Sequence, residues 1–131
     1  MADARKAALS RIVMRLARNP GTEFADGDDH RGYSLVAPLT ADGLIDAAAY
    51  ARSRAACVVR RFAPDEDAAD GKLAHTGSRW YFSFDEAGAA EDEPVFRLGR
   101  HRFAVGEYVS VSDEDGRLLT YKVTEVSPVA A

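Results

Sequence analysis

The segment from Gly99 to Val126 constrains the fold most, because it contains the clearest hairpin pattern in the sequence. In its first arm, Val109 and Val111 alternate with polar residues, which is typical of a half-buried strand. In its second arm, apolar residues take every other position from Leu119 to Val123. The residues between the arms, Asp113 to Gly116, are typical of a turn. Because an isolated hairpin is only marginally stable in water, the remaining chain is expected to supply further strands or a covering helix.

Length and composition favour a single globular domain. The chain has 131 residues, of which 47% are hydrophobic and 29% charged, both ordinary values for a folded domain. Its net charge of -4 disfavours a surface wrapped in nucleic acid, although 17 Lys and Arg residues leave room for local basic patches. Cys57 is the only cysteine, which excludes an internal disulfide and suits a reducing compartment. With no apolar run long enough to span a membrane, we expect a cytoplasmic protein of bacterial type.

The front of the chain predicts an amphipathic helix. Its apolar residues recur at i, i+3, i+4 and i+7, which is typical of one helical face: Leu9, Ile12, Val13 and Leu16. The helix is expected from about Asp3 to Arg18, because Pro20 cannot continue its backbone hydrogen bonds. The predicted domain therefore consists of a helix at residues 1–19, a β core at 20–126 and a frayed tail at 127–131.

Several short strands are predicted behind this helix, besides the two arms of the hairpin. Their apolar alternation or β-branched content points to these ranges: Gly32 to Pro38, Ala56 to Ala63, Lys72 to His75, Arg79 to Asp85 and Val95 to Leu98. An alanine-rich stretch from Ile45 to Arg54 is expected to form a short helix, and an acidic loop is expected from Pro64 to Gly71. The predicted class is mainly β, or α+β by count. It is a small antiparallel barrel or strongly bent sheet of six to seven strands, with a β-sandwich as the alternative.

Catalytic and metal-binding motifs are not found in the sequence. His30, His75 and His101 show no pair at the local spacing that commonly prepares a metal site. The acidic loops do not match the ligand pattern of a calcium-binding loop. Cys57 begins an apolar strand and is expected to be a small core residue rather than a nucleophile. We therefore predict no metal ligand, no cofactor and no catalytic residue.

The leading functional hypothesis is a non-catalytic β-module that binds a protein partner or a small ligand. An alternative is a small enzyme, or a metal- or ligand-binding barrel. Its site would lie in the barrel mouth near His75, Trp80, His101 and Tyr108, with a histidine as acid or base. Whether the histidines converge stays open at this stage.

A third hypothesis is the binding of single-stranded nucleic acid through arginine and aromatic side chains on a strand surface. Its candidate residues are Arg60, Arg61, Arg100 and Arg102, which lie close in sequence to phenylalanines. We favour this hypothesis less, because arginine beside aromatic residues is common on any one-sided sheet. A homodimer formed through a strand edge or through the apolar helix face also stays open.

Overall fold

The fold is a single antiparallel sheet that closes on itself. The computed structural model describes residues 9–64, 66–76, 79–83, 93–96, 102–112 and 117–129. Eight strands each pair with the next strand along the chain, and the first also pairs with the last. The strands are β1 (Leu9–Leu16), β2 (Asp28–Pro38), β3 (Val58–Ala63), β4 (Glu66–Thr76), β5 (Arg79–Ser83), β6 (Glu93–Phe96), β7 (Tyr108–Ser112) and β8 (Leu118–Pro128).

One short helix, α1 (Ala47–Ser53), interrupts the connection between β2 and β3 and continues into a 3₁₀ turn at Arg54–Ala56. The helix begins after Asp46, whose carboxylate accepts a hydrogen bond of 3.0 Å from the backbone N–H of Ala49. This satisfies one of the N–H groups that a helix leaves unpaired at its start. No helix in the described part of the chain is long and apolar enough to cross a membrane.

The mainly β, antiparallel architecture predicted from the sequence is confirmed. The two arms of the hairpin pair as β7 and β8, and Val109, Val111, Leu119, Tyr121 and Val123 are all buried. The predicted turn from Asp113 to Gly116 lies outside the described residues. The alanine-rich stretch forms α1, as expected. All eight strands belong to one closed sheet rather than to the two packed sheets of a sandwich.

The predicted N-terminal helix is wrong for the residues that the structure describes, because residues 9–16 form β1. Residues 1–8 lie outside the described residues. In β1, Ile12, Met14 and Leu16 are buried at the period of a strand. Val13 is 9% exposed and lies where the register with β8 shifts, between Val13 and Met14. The continuous apolar run from Ile12 to Met14 is compatible with the period of a helix and with that of a strand. Pairing with β2 and β8 stabilises the strand.

Two further predictions need correction. The acidic stretch expected as a loop from Pro64 to Gly71 lies largely in β4, where Asp70 and Gly71 pair with Arg60 and Val59. The tail expected to fray from residue 127 instead continues β8 to Pro128, and the N–H of Val129 donates to the carbonyl of Leu9 at 2.9 Å. In both places, backbone hydrogen bonds to neighbouring strands stabilise a segment of weak strand propensity.

The inward side chains fill the barrel with a single hydrophobic core. Tyr33 lies near its centre, with its ring centroid 4.9 Å from that of Phe82 and 5.1 Å from that of Tyr121. Trp80 also belongs to this core and is only 6% exposed. Such aromatic pairs contribute to stability beyond the area they bury.

Asn19 ties the turn after β1 to β8. Its side-chain N–H groups donate to the carbonyls of Ala17 (2.8 Å) and Thr120 (3.1 Å), and its carboxamide oxygen accepts from the N–H of Thr120 at 2.9 Å. Its backbone N–H donates to the carbonyl of Phe24. Asn19 is 8% exposed, so these bonds satisfy a buried polar group as well as joining the two elements.

We predict that Asn19→Ala lowers the free energy of unfolding by about 2–3 kcal/mol, because backbone groups of Thr120 and Ala17 lose their partners. Asn19→Asp should cost at least as much, since it keeps the acceptor for the N–H of Thr120 but places a buried carboxylate oxygen against the carbonyls of Ala17 and Thr120. Urea unfolding followed by tryptophan fluorescence measures both values. Equal stability of Asn19→Ala and the wild type would contradict this role.

Gly32 gives a second stability prediction. A Cβ at this position would overlap the carbonyl oxygen of Met14 on the adjacent β1, so Gly32→Ala must displace backbone within the sheet. The expected loss is about 3 kcal/mol or more, beyond the usual cost of overpacking. Gly21→Ala is the control, because its Cβ would meet no atom within 4 Å although its φ is +86°. It should cost about 1–2 kcal/mol, from the left-handed backbone alone. A smaller loss for Gly32→Ala than for Gly21→Ala in thermal unfolding would refute the clash.

Candidate ligand-binding groove

A groove of about 940 Å³ lies on the outer wall of the barrel and crosses the strands from β1 to β5. Strand alternation positions its lining. Leu35, Val59 and Leu73 have side chains in the core, so their neighbours along β2, β3 and β4 face outward. These neighbours include Val36, Val58 and Lys72, and all three line the groove.

The strand register places two valines between two cations on the floor of the groove. Arg11 on β1 pairs with Val36 on β2, and Val58 on β3 pairs with Lys72 on β4. Val36 and Val58 each lie one residue beyond the last pair between β2 and β3, Leu35 with Val59. The ladder ends at that pair, and Val58 is 45% exposed. The floor therefore runs from Arg11 through Val36 and Val58 to Lys72.

The charge of the groove is predominantly positive, although the net charge of the chain is -4. Four cationic side chains line it, namely Arg11, Arg54, Arg60 and Lys72, together with a single carboxylate, that of Asp70. Arg60 and Asp70 form an exposed ion pair with 3.3 Å between guanidinium nitrogen and carboxylate oxygen. In the described part of the chain, neither Arg11 nor Lys72 belongs to an ion pair. The cations at the two ends of the valine floor can therefore attract an anionic ligand.

An aromatic cluster forms one margin of the groove. The rings of His75 and Trp80 stack with centroids 4.0 Å apart, and the ring of Tyr50 meets Trp80 edge-on at 5.0 Å. The hydroxyl of Tyr50 donates to the carbonyl of Leu73 at 2.8 Å, and burial raises the pKa of Tyr50. The guanidinium of Arg54 lies 6.0 Å from the Tyr50 ring. This cluster rigidly connects α1 to β4 and β5 beside the groove.

Of the four residues predicted for a site in the barrel mouth, the structure brings two together. His75 and Trp80 are adjacent, and His75 lines the groove. Tyr108 alternates with the buried Val109, is 53% exposed and lines a separate depression of about 500 Å³ with Lys122. His101 lies outside the described residues. Because Trp80 is buried in the core and Tyr108 is exposed on the outer surface, these two side chains are on opposite faces of the sheet.

The four arginines predicted for nucleic-acid binding do not form one patch among the described residues. Arg60 faces the groove, whereas Arg61 pairs with Tyr33 and shares its inward-facing side. Arg102 is exposed and lies 3.4 Å from the carboxylate of Glu107. Arg100 lies outside the described residues. Of the three arginines within the described ranges, only Arg60 lines the groove.

No group of three or more potential metal ligands converges among the described residues. His30 is exposed in β2, on a different strand from His75. Cys57 is fully buried, which confirms the prediction that it is a small core residue. Burial raises the pKa of its thiol to about 11, so the reactive thiolate is scarce near neutral pH.

Sequence reasoning missed the most informative groove residues, which are Arg11, Arg54, Val58 and Lys72. Arg11 was assigned to a helix, and Lys72 to a short isolated strand. Period-two alternation could have placed Val58 and Lys72 on the outer face, since both flank buried residues. Their alignment with Arg11 depends on the register of four strands and has no local signal.

Comparison with known proteins gives no family for this chain: no protein-family model, no curated protein and no solved structure matches it.

We predict that Cys57 is inert in the native protein. A thiol reagent such as dithionitrobenzoate should modify it at pH 8 only as fast as the protein opens, and rapidly in guanidinium chloride. Because the folded pKa is raised from 9.0 to about 11, the contribution of this thiol to stability is present below pH 9 and lost as the pH rises towards 11. Rapid native labelling at pH 8 would contradict the burial.

Proposed function

We propose that this protein is a non-catalytic β-module that binds an anionic, partly apolar ligand in the outer groove. The observation that carries the proposal is the floor of the groove, where Val36 and Val58 lie between the cations of Arg11 and Lys72. Apolar contact favours burial of a hydrophobic part of the ligand, while the cations orient its negative groups. Cytoplasmic location remains part of the same proposal.

Shape and charge make different contributions to this binding. A volume of about 940 Å³ is within the usual range for sites that hold small molecules or short segments of chain. The cationic side chains are exposed, so each charge contact is expected to contribute only about 0.2–1 kcal/mol. Contact with the valines should therefore supply much of the affinity, and the charges should supply selectivity and a dependence on salt.

The other two hypotheses have less support from the described residues. The enzyme hypothesis placed its site near His75, Trp80, His101 and Tyr108, but His75 lines the groove whereas Tyr108 lines a different depression. The nucleic-acid hypothesis relied on a cluster of four arginines; of the three that the structure describes, Arg60 lines the groove and Arg61 and Arg102 do not. A binding role for the groove explains why four cationic side chains and the exposed Val58 lie together on the outer wall.

The proposal predicts binding of an amphipathic anion to the folded protein. Anilinonaphthalene sulfonate should bind with a stoichiometry of one and accept excitation energy from Trp80, the only tryptophan. Arg11→Glu and Lys72→Glu should each weaken binding by about three- to tenfold, since roughly 1 kcal/mol corresponds to about fivefold. Fluorescence titration at low salt measures the dissociation constants.

Lys122→Glu is the matched control, because it makes the same charge change on the outer face of β8, outside this groove. It should leave binding within about twofold of the wild type, apart from the long-range effect of net charge that salt screens. Cooperative thermal unfolding of every variant must be checked, because loosely folded proteins also bind this dye. Equal weakening by all three substitutions, or no binding, would refute the proposed site.

A further inference from the structure

We infer that the ligand of the groove is an extended peptide segment with two acidic side chains four residues apart and an apolar side chain midway between them. This inference rests on the proposed function and specifies its partner. The two acidic groups would contact Arg11 and Lys72, and the apolar side chain would contact Val36 and Val58. The peptide would thus run across the strands.

The spacing of the cations supports this pattern. Arg11 and Lys72 are on strands three steps apart in the sheet, β1 and β4. Neighbouring strands lie about 4.8 Å apart where they are paired. Because β2 and β3 pair up to Leu35 and Val59, one residue short of Val36 and Val58, the backbones at Arg11 and Lys72 are separated by at least about 14 Å. In an extended peptide, residues i and i+4 are about 13 Å apart, and the residue at i+2 points to the same side as both. An acidic, apolar, acidic pattern at i, i+2 and i+4 therefore matches the floor.

Recognition must take place through side chains rather than by addition of a strand to the sheet. β1 pairs with both β2 and β8, and β2, β3, β4 and β5 each also pair with two neighbours. Arg11 pairs with Val36 and Ser127, and Lys72 pairs with Val58 and Ser83, so neither cation lies on a free strand edge to which a peptide backbone could add. Selectivity would come from the positions of Arg11, Val58 and Lys72, because these are held by the sheet.

A peptide fits these observations better than a single-stranded nucleic acid does. Bases bind by stacking on aromatic side chains along a continuous basic track. The centre of this floor is Val36 and Val58 instead, which offer no ring on which a base could stack. Arg60 is already engaged with Asp70 in the ion pair described above. The remaining lining cations are Arg11, Arg54 and Lys72, and the valines separate Arg11 from Lys72, so these charges do not form a continuous track.

Among the described residues, a second copy of the chain offers no free, extended segment with this pattern. The segment from Glu66 to Asp70 has acidic residues at the required spacing with Ala68 between them, but it is paired with β3 in its own barrel and Asp70 is in the ion pair with Arg60. The segment from Asp42 to Asp46 has the same spacing with Leu44 between its acidic residues. However, Gly43 has a φ of +85° and the Asp46 carboxylate caps α1. This segment is a turn rather than an extended strand. We therefore assign the groove to a separate acidic peptide, and self-association is an outcome that the test must detect.

The test compares two capped peptides of identical composition that carry an uncharged fluorophore, Gly-Asp-Ser-Leu-Ser-Asp-Gly and Gly-Ser-Leu-Asp-Asp-Ser-Gly. Fluorescence polarisation is measured on the full chain at low salt. The first peptide should bind at least fivefold more tightly, because only its acidic groups reach both cations. Arg11→Glu and Lys72→Glu should each weaken its binding about tenfold, whereas Lys122→Glu should not.

A charge-exchange variant separates direct contact from damage to the fold. The double variant Arg11→Glu, Lys72→Glu should reject the acidic peptide and bind Gly-Lys-Ser-Leu-Ser-Lys-Gly at least fivefold more tightly than the wild type does. A misfolded protein would not gain this new preference. Failure of the exchanged pair to recover binding, with the variant cooperatively folded, would count against the assigned contacts.

Other outcomes overturn the inference. Equal affinity for the two acidic peptides, or no peptide binding, would overturn it while leaving the proposed function intact if anilinonaphthalene sulfonate still binds in the groove. Loss of the dye response as well would remove both proposals. Tighter binding of oligothymidylate than of the spaced peptide would assign the groove to nucleic acid. A concentration-dependent dimer in sedimentation that Lys72→Glu dissociates would assign it to a second copy.

Discussion

The pairing of β1 with β8 is the interaction on which the rest of this structure depends. It joins the two ends of the described chain, from Ser10 opposite Pro128 to Leu16 opposite Tyr121. Beyond the ladder, Asn19 extends the same connection through its hydrogen bonds to Thr120. Without this pairing, the sheet would have two edges whose backbone N–H and C=O groups would need water or another chain. With it, those groups bond within the barrel and the inward side chains form one core.

Closure also determines where a ligand can bind. Large side chains such as those of Tyr33, Phe82 and Trp80 occupy the interior, which makes it a packed core across the described residues. The outward positions of the same strands are under no such packing demand, so they can carry charge without the cost of burying it. On β1 to β4 they carry Arg11, Arg60 and Lys72 beside exposed apolar surface. The proposed binding function follows from this division between the two faces.

The most accurate sequence prediction was the hairpin of β7 and β8, because there a single periodicity fits. Val109 and Val111 alternate strictly with polar residues, and a helix would scatter them over different faces. In β1, by contrast, the continuous apolar run from Ile12 to Met14 suits both a helix and a strand. The local pattern therefore led to the wrong prediction of a helix. In β4, Asp70 and Gly71 have weak strand propensity, but pairing with β3 on one side overrides it. The sequence-based predictions are therefore wrong where pairing with neighbouring strands, rather than local propensity, stabilises the conformation.

The sequence by itself determined the mainly β class of the fold, the burial of Cys57, and which charged and apolar side chains the outer face could carry. It did so because alternation, turn residues and hydrophobicity act over a few neighbouring residues. Only the tertiary structure decided that residues 9–16 form a strand, and that Arg11 and Lys72 lie at the two ends of a valine floor. Residues 61 positions apart in the chain become aligned only when four strands take their register. That register is set by backbone pairing and core packing across the whole barrel.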